Sequence, residues 1–151
     1  MEQNVNYYSF AENDYHYLKA SMDAGFISNG MASLAQNIVE KYLKHIIDQY
    51  YSESDISSIL RTHSLRRLLR FLETHVKDFD IDESLIIPAD GYYFSARYPG
   101  EDSFFVDQKD IDICWLAVEE AKTAVDCYLE KHSDVPGNQM VLKEAISYFI
   151  D

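Results

Sequence analysis

Cationic side chains are concentrated in one segment of an otherwise acidic sequence. The segment RTHSLRRLLR contains Arg61, His63, Arg66, Arg67 and Arg70. In a helix Arg66 and Arg70 would be one turn apart on the solvent side. Such cations can bind an anion, for example a nucleotide phosphate or the acidic surface of a partner. They can equally form ion pairs with some of the 26 acidic residues of the chain.

Aromatic residues surround a single cation, Arg97, in the segment DGYYFSARYPGEDSFF (residues 90–105). A guanidinium and neighbouring aromatic rings can hold a phosphate and stack against a base. The aromatic candidates for this role are Tyr92, Tyr93 and Tyr98. Alternatively, Arg97 ties the segment to an inner carboxylate while the rings cover the core, because a long ordered connection must bury apolar side chains. We favour this second interpretation, and the two are compatible.

Metal and hydrolase chemistry are not indicated by the spacing of histidine and cysteine. The five histidines fall on different predicted elements, and none is four residues from another. We therefore predict no metal and no cofactor. No glycine-rich phosphate loop or serine-based triad is marked. Cys114 and Cys127 lie on one predicted helix about 20 Å apart, too far for a disulfide, which indicates a reducing compartment.

The charge balance limits the possible partners. The sequence has 13 basic and 26 acidic residues among 151, a net charge of −13. It should repel a polyanion, so RNA is not an expected ligand. No run of about 18 apolar residues predicts a membrane span, and the start MEQNVNYYSF does not resemble a secretory signal. We expect a single cytoplasmic domain over residues 1–151.

Apolar residues at helical spacing predict two long helices in the first third of the chain. Ser9 and Glu12 have capping-box spacing, so the first helix is expected to begin there and to end near Asn29 and Gly30. The second is expected over residues 31–51. Its apolar stripe is too broad for contact with one neighbour, which predicts a central position or a second interface.

The remaining helices flank a long connection. Ser64 is predicted to cap the third helix, and Asp107 with Asp110 the fourth, which extends to about His132. Residues 78–107 read as irregular, although SLII and YYFS contain short strand-like patterns. A last short helix is predicted over residues 139–150. The expected fold is all-α: an antiparallel up-down four-helix bundle with a long crossover between helices 3 and 4 and a short C-terminal helix.

Three segments resemble motifs of the HEPN domain family. LAQNIVEKYLKHII is similar to the family's second-helix signature. THSLRRLL is similar to its Thr-His-Asp-Leu start of the third helix, with Ser64 in place of Asp. SARYPGED is similar to the Arg-Tyr-Pro segment before the fourth helix. Their order and spacing agree with the family over roughly residues 10–132.

The resemblance implies a cytoplasmic helical bundle that is often a homodimer. It also implies two possible functions. One is a nucleotide-binding or interaction module paired with a minimal nucleotidyltransferase. The other is a ribonuclease toxin of a toxin–antitoxin or defence system.

The ribonuclease members use an Arg and a His with four to six residues between them, and this chain departs from that pattern. No His follows Arg97 before His132; the spacing occurs only at Arg70 and His75, on the third helix rather than the fourth. Five residues rotate the chain by about 140° around a helix, so these two side chains do not share a face. We therefore favour the binding module, with candidate ligand-binding residues at His63, Arg66, Arg70, Tyr92, Tyr93, Arg97 and Tyr98.

Overall fold

The computed structural model describes residues 5–51, 53 and 55–133, and every regular element among them is helical. Four longer helices form the bundle, and short helices lie in the connections. The elements are α1 (Tyr7–Asp23), α2 (Asn29–Tyr50), α3 (Ser57–Leu60), α4 (Leu65–His75), α5 (Glu83–Ile86), a 3₁₀ turn (Ile87–Ala89), α6 (Tyr92–Ser95) and α7 (Gln108–Lys131). The all-α helical bundle predicted from the sequence is confirmed. The helix predicted over residues 139–150 lies outside the described residues.

Helix α2 is the centre of the bundle. It packs against α1, α4, α6 and α7. Ile38, Tyr42 and Ile46 are fully buried at successive turns, and Val39, Leu43 and Ile47 are fully buried beside them. An apolar stripe of this width can be buried only if several elements cover the helix. The predicted central position of the second helix is therefore confirmed.

Helix α1 begins one turn earlier than the sequence suggested. Asn6 is the N-cap, and its side chain accepts a hydrogen bond from the Ser9 backbone while the Ser9 hydroxyl accepts one from the Asn6 backbone. The proposed capping box of Ser9 and Glu12 is therefore wrong. Glu12 is instead buried inside the bundle, where it accepts hydrogen bonds from Tyr42 at 2.7 Å and Lys122 at 2.6 Å. A buried carboxylate needs such partners, and a tertiary requirement here overrides a local motif.

The predicted end of the first helix near Asn29 and Gly30 is also wrong. Helix α1 ends at Asp23, and Gly25 follows in the left-handed region with φ of 84°. Glycine adopts that conformation without steric cost, so the chain reverses there. Ser28 then caps α2, which places Asn29 and Gly30 in its first turn.

The caps predicted for the other two long helices are confirmed. The Ser64 side chain accepts a hydrogen bond from the Arg67 backbone at the start of α4. At the start of α7, Asp107 and Asp110 form a reciprocal capping box. These polar side chains satisfy amide groups that have no partner within the first turn of a helix.

The crossover between α4 and α7 is ordered by contacts with the bundle. The strand-like interpretation of SLII and YYFS is wrong, since both segments are short helical turns. Asp90 accepts hydrogen bonds from the backbone amides of Leu65 and Arg66 at the start of α4. Near the other end, the Asn29 side chain bonds the backbone of Phe104 and Val106. Of the helices in the described residues, none is long and apolar enough to cross a membrane.

Candidate functional site

Three polar side chains lie on one face of α2 within the apolar core. Gln36, Glu40 and Lys44 follow one another at intervals of four residues, and their exposed fractions are 0%, 1% and 7%, respectively. Residues at this spacing are neighbours on a helix surface. Nε2 of Gln36 and Nζ of Lys44 each lie 3.5 Å from the Glu40 carboxylate. Because buried polar groups cost free energy unless they are paired, such a row indicates a specific structural or functional role.

Gln36 joins two segments that are distant in sequence. Its Nε2 donates a hydrogen bond to the carbonyl oxygen of His63 at 2.7 Å. Its Oε1 accepts a hydrogen bond from the backbone amide of Tyr93. A single buried amide therefore fixes the start of α4 against α6, because each half of the amide satisfies one backbone group.

The carboxylate of Glu40 orients the imidazole ring of His63. Nδ1 of His63 lies 3.2 Å from Oε2 of Glu40. While the Glu40 side chain is ionised it can only accept, so in that state Nδ1 of His63 is the donor. Burial raises the pKa of Glu40 above its ordinary value, whereas Lys44 and His63 act to lower it. The His63 side chain is 40% exposed, and the edge of the ring away from Glu40 carries Nε2.

Arg97 and Tyr93 complete the cluster from the crossover. The rings of Tyr93 and His63 are stacked, with centroids 4.0 Å apart and an interplanar angle of 11°. Cζ of Arg97 lies 4.8 Å from the centroid of Tyr93 and 5.5 Å from that of Tyr98. Cation–π contacts of this kind hold a guanidinium in place and leave N–H groups free to bind an anion. We call Glu40, His63, Tyr93 and Arg97 the His63 site.

The predicted bond between Arg97 and an inner carboxylate is not observed. Arg97 is exposed and forms no ion pair within the described parts of the chain. The sequence could not reveal that Gln36, Asp90 and Asn29 hold the crossover instead. The covering role of the aromatics is observed for Tyr92, which packs against the core.

Two of the predicted ligand-binding residues have other contacts. The Tyr92 hydroxyl donates to Asp110 at 2.8 Å, and this half-buried ring packs edge-on against Phe104. The Arg66 side chain is exposed, with Nε 3.6 Å from Oδ2 of Asp90. Tyr92 and Arg66 therefore support the conformation of the crossover.

In residues 5–51, 53 and 55–133, no group of three or more His, Cys, Asp or Glu side chains could hold a metal ion.

The model of the HEPN domain family matches residues 6–130. The chain belongs to the HEPN domain family. Searches of curated proteins and of solved structures gave no significant match.

In this HEPN domain the three motif-like segments meet at one place. Gln36 and Glu40 come from the first segment, His63 from the second and Arg97 from the third. Gln36 and Glu40 contact His63 directly, whereas Arg97 is joined to His63 through the ring of Tyr93. The sequence predicted His63, Tyr93, Tyr98 and Arg97 as ligand-binding residues, but Glu40 and Gln36 were not among the predicted residues. The spacing of Gln36, Glu40 and Lys44, polar residues four apart within an apolar stripe, is the sequence feature that could have revealed them.

The alternative catalytic pair of the HEPN domain, Arg70 and His75, lies elsewhere on α4. Both residues are exposed. The His75 ring packs against Phe71 at 4.4 Å and Tyr51 at 4.9 Å between centroids. The His75 ring therefore contacts Phe71 and Tyr51, which lie outside the His63 site, and a catalytic role for this pair stays a prediction.

Proposed function

We propose that this HEPN protein is a binding module whose His63 site holds a nucleotide through a phosphate group. The observation that carries the proposal is that an exposed Arg97 and an oriented His63, from separate segments, both contact the ring of Tyr93. The arrangement is anchored by buried Gln36 and Glu40, so the binding groups are preorganised before a ligand arrives. Preorganisation reduces the entropy lost on binding.

Local charge supports an anionic ligand. The protein carries a net charge of −13, yet Arg61, Arg66 and Arg67 are exposed within four residues of His63. Arg97 adds a further cation at the site itself. A guanidinium can bind phosphate through two parallel hydrogen bonds. A few cations suit one nucleotide, whereas the acidity of the whole protein opposes binding of a long RNA.

The aromatic residues suggest where a base would stack. Tyr93 already stacks against His63 and lies below Arg97. Phe94 and Tyr98 are 57% and 53% exposed, so they offer larger accessible surfaces. Stacking of a base on an exposed aromatic ring contributes about 1–3 kcal/mol. We propose that the phosphate contacts Arg97 and His63 and that the base contacts Phe94 or Tyr98.

Calorimetric titration with ATP, GTP and inorganic phosphate tests this function. We expect Arg97→Gln and His63→Asn each to weaken nucleotide binding by about 10-fold, the loss of one charged hydrogen bond. Lys131→Gln is the control, because Lys131 is an exposed cation in the last turn of α7, outside the site. Absence of binding by every nucleotide, or an equal loss in the Lys131 control, would refute the proposal.

We also propose that the module dimerises and binds a minimal nucleotidyltransferase. Large exposed apolar side chains support a protein interface; they include Tyr17 at 67%, Phe26 at 66% and Phe105 at 95%. Light scattering of the protein alone, and with a nucleotidyltransferase encoded beside it, provides the test. A monomer in both samples would exclude both interactions.

Incubation of the purified protein with RNA separates the binding module from a ribonuclease. The binding function predicts intact RNA. Cleavage that disappears in both Arg70→Ala and His75→Ala would instead favour a ribonuclease toxin.

A further inference from the structure

His63 is distinguished from the other histidines by how its two nitrogens are placed. Nδ1 lies beside the buried carboxylate of Glu40, and 40% of the His63 side chain is exposed. In His132 it is Nε2 that contacts a carboxylate, at 2.8 Å from Asp78. In His16 it is again Nε2 that faces a carboxylate, 3.8 Å from Glu12. The ring of His45 is buried.

This placement favours a nucleophilic Nε2. A neutral imidazole has one protonated nitrogen and one nitrogen with a free lone pair. The hydrogen bond from Nδ1 to Glu40 selects the form in which Nε2 has the lone pair. Histidine in this form is able to form covalent intermediates.

Arg97 is placed to stabilise a transferred phosphoryl group. Its guanidinium and the His63 ring both contact the ring of Tyr93, which links the two side chains. Charge develops on the oxygens of a phosphoryl group during transfer, and a positioned cation lowers the barrier. The nearby arginines Arg61, Arg66 and Arg67 add to the positive potential.

We propose that Nε2 of His63 is a phosphoryl acceptor for small activated donors of the acyl phosphate or phosphoramidate class. The inference rests on the proposed function, because the same site must first bind a phosphate. With an acyl phosphate, a bond forms between Nε2 and phosphorus while the bond from phosphorus to the acyl oxygen breaks. The carboxylate leaves with the electron pair, and the proton on Nδ1 stays in the hydrogen bond to Glu40. With phosphoramidate, the protonated nitrogen leaves as ammonia. No oxidant or reductant takes part.

Incubation of the full chain with acetyl phosphate or with phosphoramidate, in separate samples, tests the proposal. Intact-mass spectrometry should show the gain of one phosphoryl group, and peptide mapping should place it on His63. A phosphorus–nitrogen bond to histidine is hydrolysed by acid and survives base, so the label should be lost after acid treatment alone. Labelling by one donor class only would restrict the proposal to that class.

Single variants separate the roles of the residues. His63→Ala should lose the label, and Arg97→Gln should label about 10-fold more slowly. Glu40 is a positioning residue, and Glu40→Gln should label about 10-fold more slowly as well. Nitrogen-15 NMR should show that this variant also loses the preference for a proton on Nδ1 of His63, a change that altered stability alone would not cause. His16→Ala is the matched control, because the side chain of His16 is 44% exposed and that of His63 40%.

The outcomes distinguish this inference from the proposed function. Nucleotide binding without any label would refute phosphoryl transfer and leave the binding function intact. Label on His63 without nucleotide binding would support His63 as a phosphoryl acceptor and refute the proposed nucleotide binding. Equal labelling of His16 and His63 would show general surface reactivity and refute the acceptor. If Glu40→Gln fails to fold, as judged by circular dichroism, the exposed Arg97→Gln variant decides the result.

Discussion

Gln36 donates a hydrogen bond from Nε2 to the carbonyl oxygen of His63 over 2.7 Å, across 27 residues of sequence. Gln36 also accepts a hydrogen bond from the backbone of Tyr93, 57 residues away. This one amide sets the distance between the start of α4 and the crossover. The geometry of the His63 site therefore depends on a residue that makes no contact with solvent.

We expect Gln36→Glu to reduce the free energy of unfolding by about 2–3 kcal/mol, because a carboxylate cannot donate to the His63 carbonyl. Chemical denaturation monitored by circular dichroism measures the change. Gln49→Glu makes the same substitution at an exposed position near the end of α2 and should cost less than about 0.5 kcal/mol. Similar losses in the two variants would contradict the role assigned to Gln36.

Lys122 balances the charge of buried Glu12 between α7 and α1. Nζ lies 2.6 Å from Oε1 of Glu12 and 3.1 Å from Oδ2 of Asp126. Burial acts to lower the pKa of Lys122, but the bonds and charges of these two carboxylates raise it above its ordinary value. We expect Lys122→Met to lower the free energy of unfolding by about 3 kcal/mol, since Glu12 loses its closest cation.

Lys19→Met is the matched control for this charge pair. Lys19 also pairs with an acidic residue, Asp23 at 3.2 Å, but both side chains are more than half exposed. Surface pairs of this kind contribute about 0–1 kcal/mol. Urea denaturation of both variants gives the comparison, and a loss in Lys19→Met as large as that in Lys122→Met would contradict the prediction.

His45 should make folding stability depend on acid pH. Burial lowers the pKa of His45 from 6.5 to about 4, while Asp48 acts in the opposite direction. Between these pH values the His45 ring binds a proton more readily in the unfolded chain than in the folded protein. The contribution of the neutral ring to stability is therefore complete above pH 6.5 and is lost as pH falls towards 4, by at most about 3 kcal/mol.

We expect His45→Gln to flatten the pH dependence of the unfolding free energy over this range. The control is His75→Gln, because His75 is exposed. Burial raises the pKa of Glu40, so this residue makes the protein more stable, not less, as the pH falls. Both variants retain Glu40, so its contribution does not affect the comparison. A pH profile of His45→Gln that matches the unmodified protein would show that His45 does not titrate in this range.

Asp90 should stabilise α4 from outside the helix. Its carboxylate accepts hydrogen bonds from the backbone amides of Leu65 and Arg66, where the helix dipole also favours negative charge. We expect Asp90→Ala to cost about 1–2 kcal/mol, similar to the loss of an N-cap. Thermal unfolding measures the change, and Asp80→Ala is the control, because Asp80 is exposed. Equal shifts in melting temperature in the two variants would contradict the stabilisation of α4 by Asp90.

The sequence by itself determined the helical class and the starts of α4 and α7. Leu65, Leu68 and Leu72 lie at helical spacing in the sequence, and all three are buried. Ser64 and Asp107 marked the starts of α4 and α7, because a cap depends on side chains within one turn. The sequence also selected His63 and Arg97 as residues of one possible site. Such features are local, so they can be predicted from a short window of sequence.

The tertiary structure decided which polar residues work together. Glu12 has the local pattern of a cap, but the packing of α1 against α2 and α7 makes it a buried ion-pair partner. Arg97 was expected to find a carboxylate, but it lies over the ring of Tyr93 instead. The contact of Glu40 with His63 joins residues 23 positions apart. Contacts of this kind depend on how helices pack, which no local pattern specifies, because the free energy of burying a polar group is set by all of its neighbours.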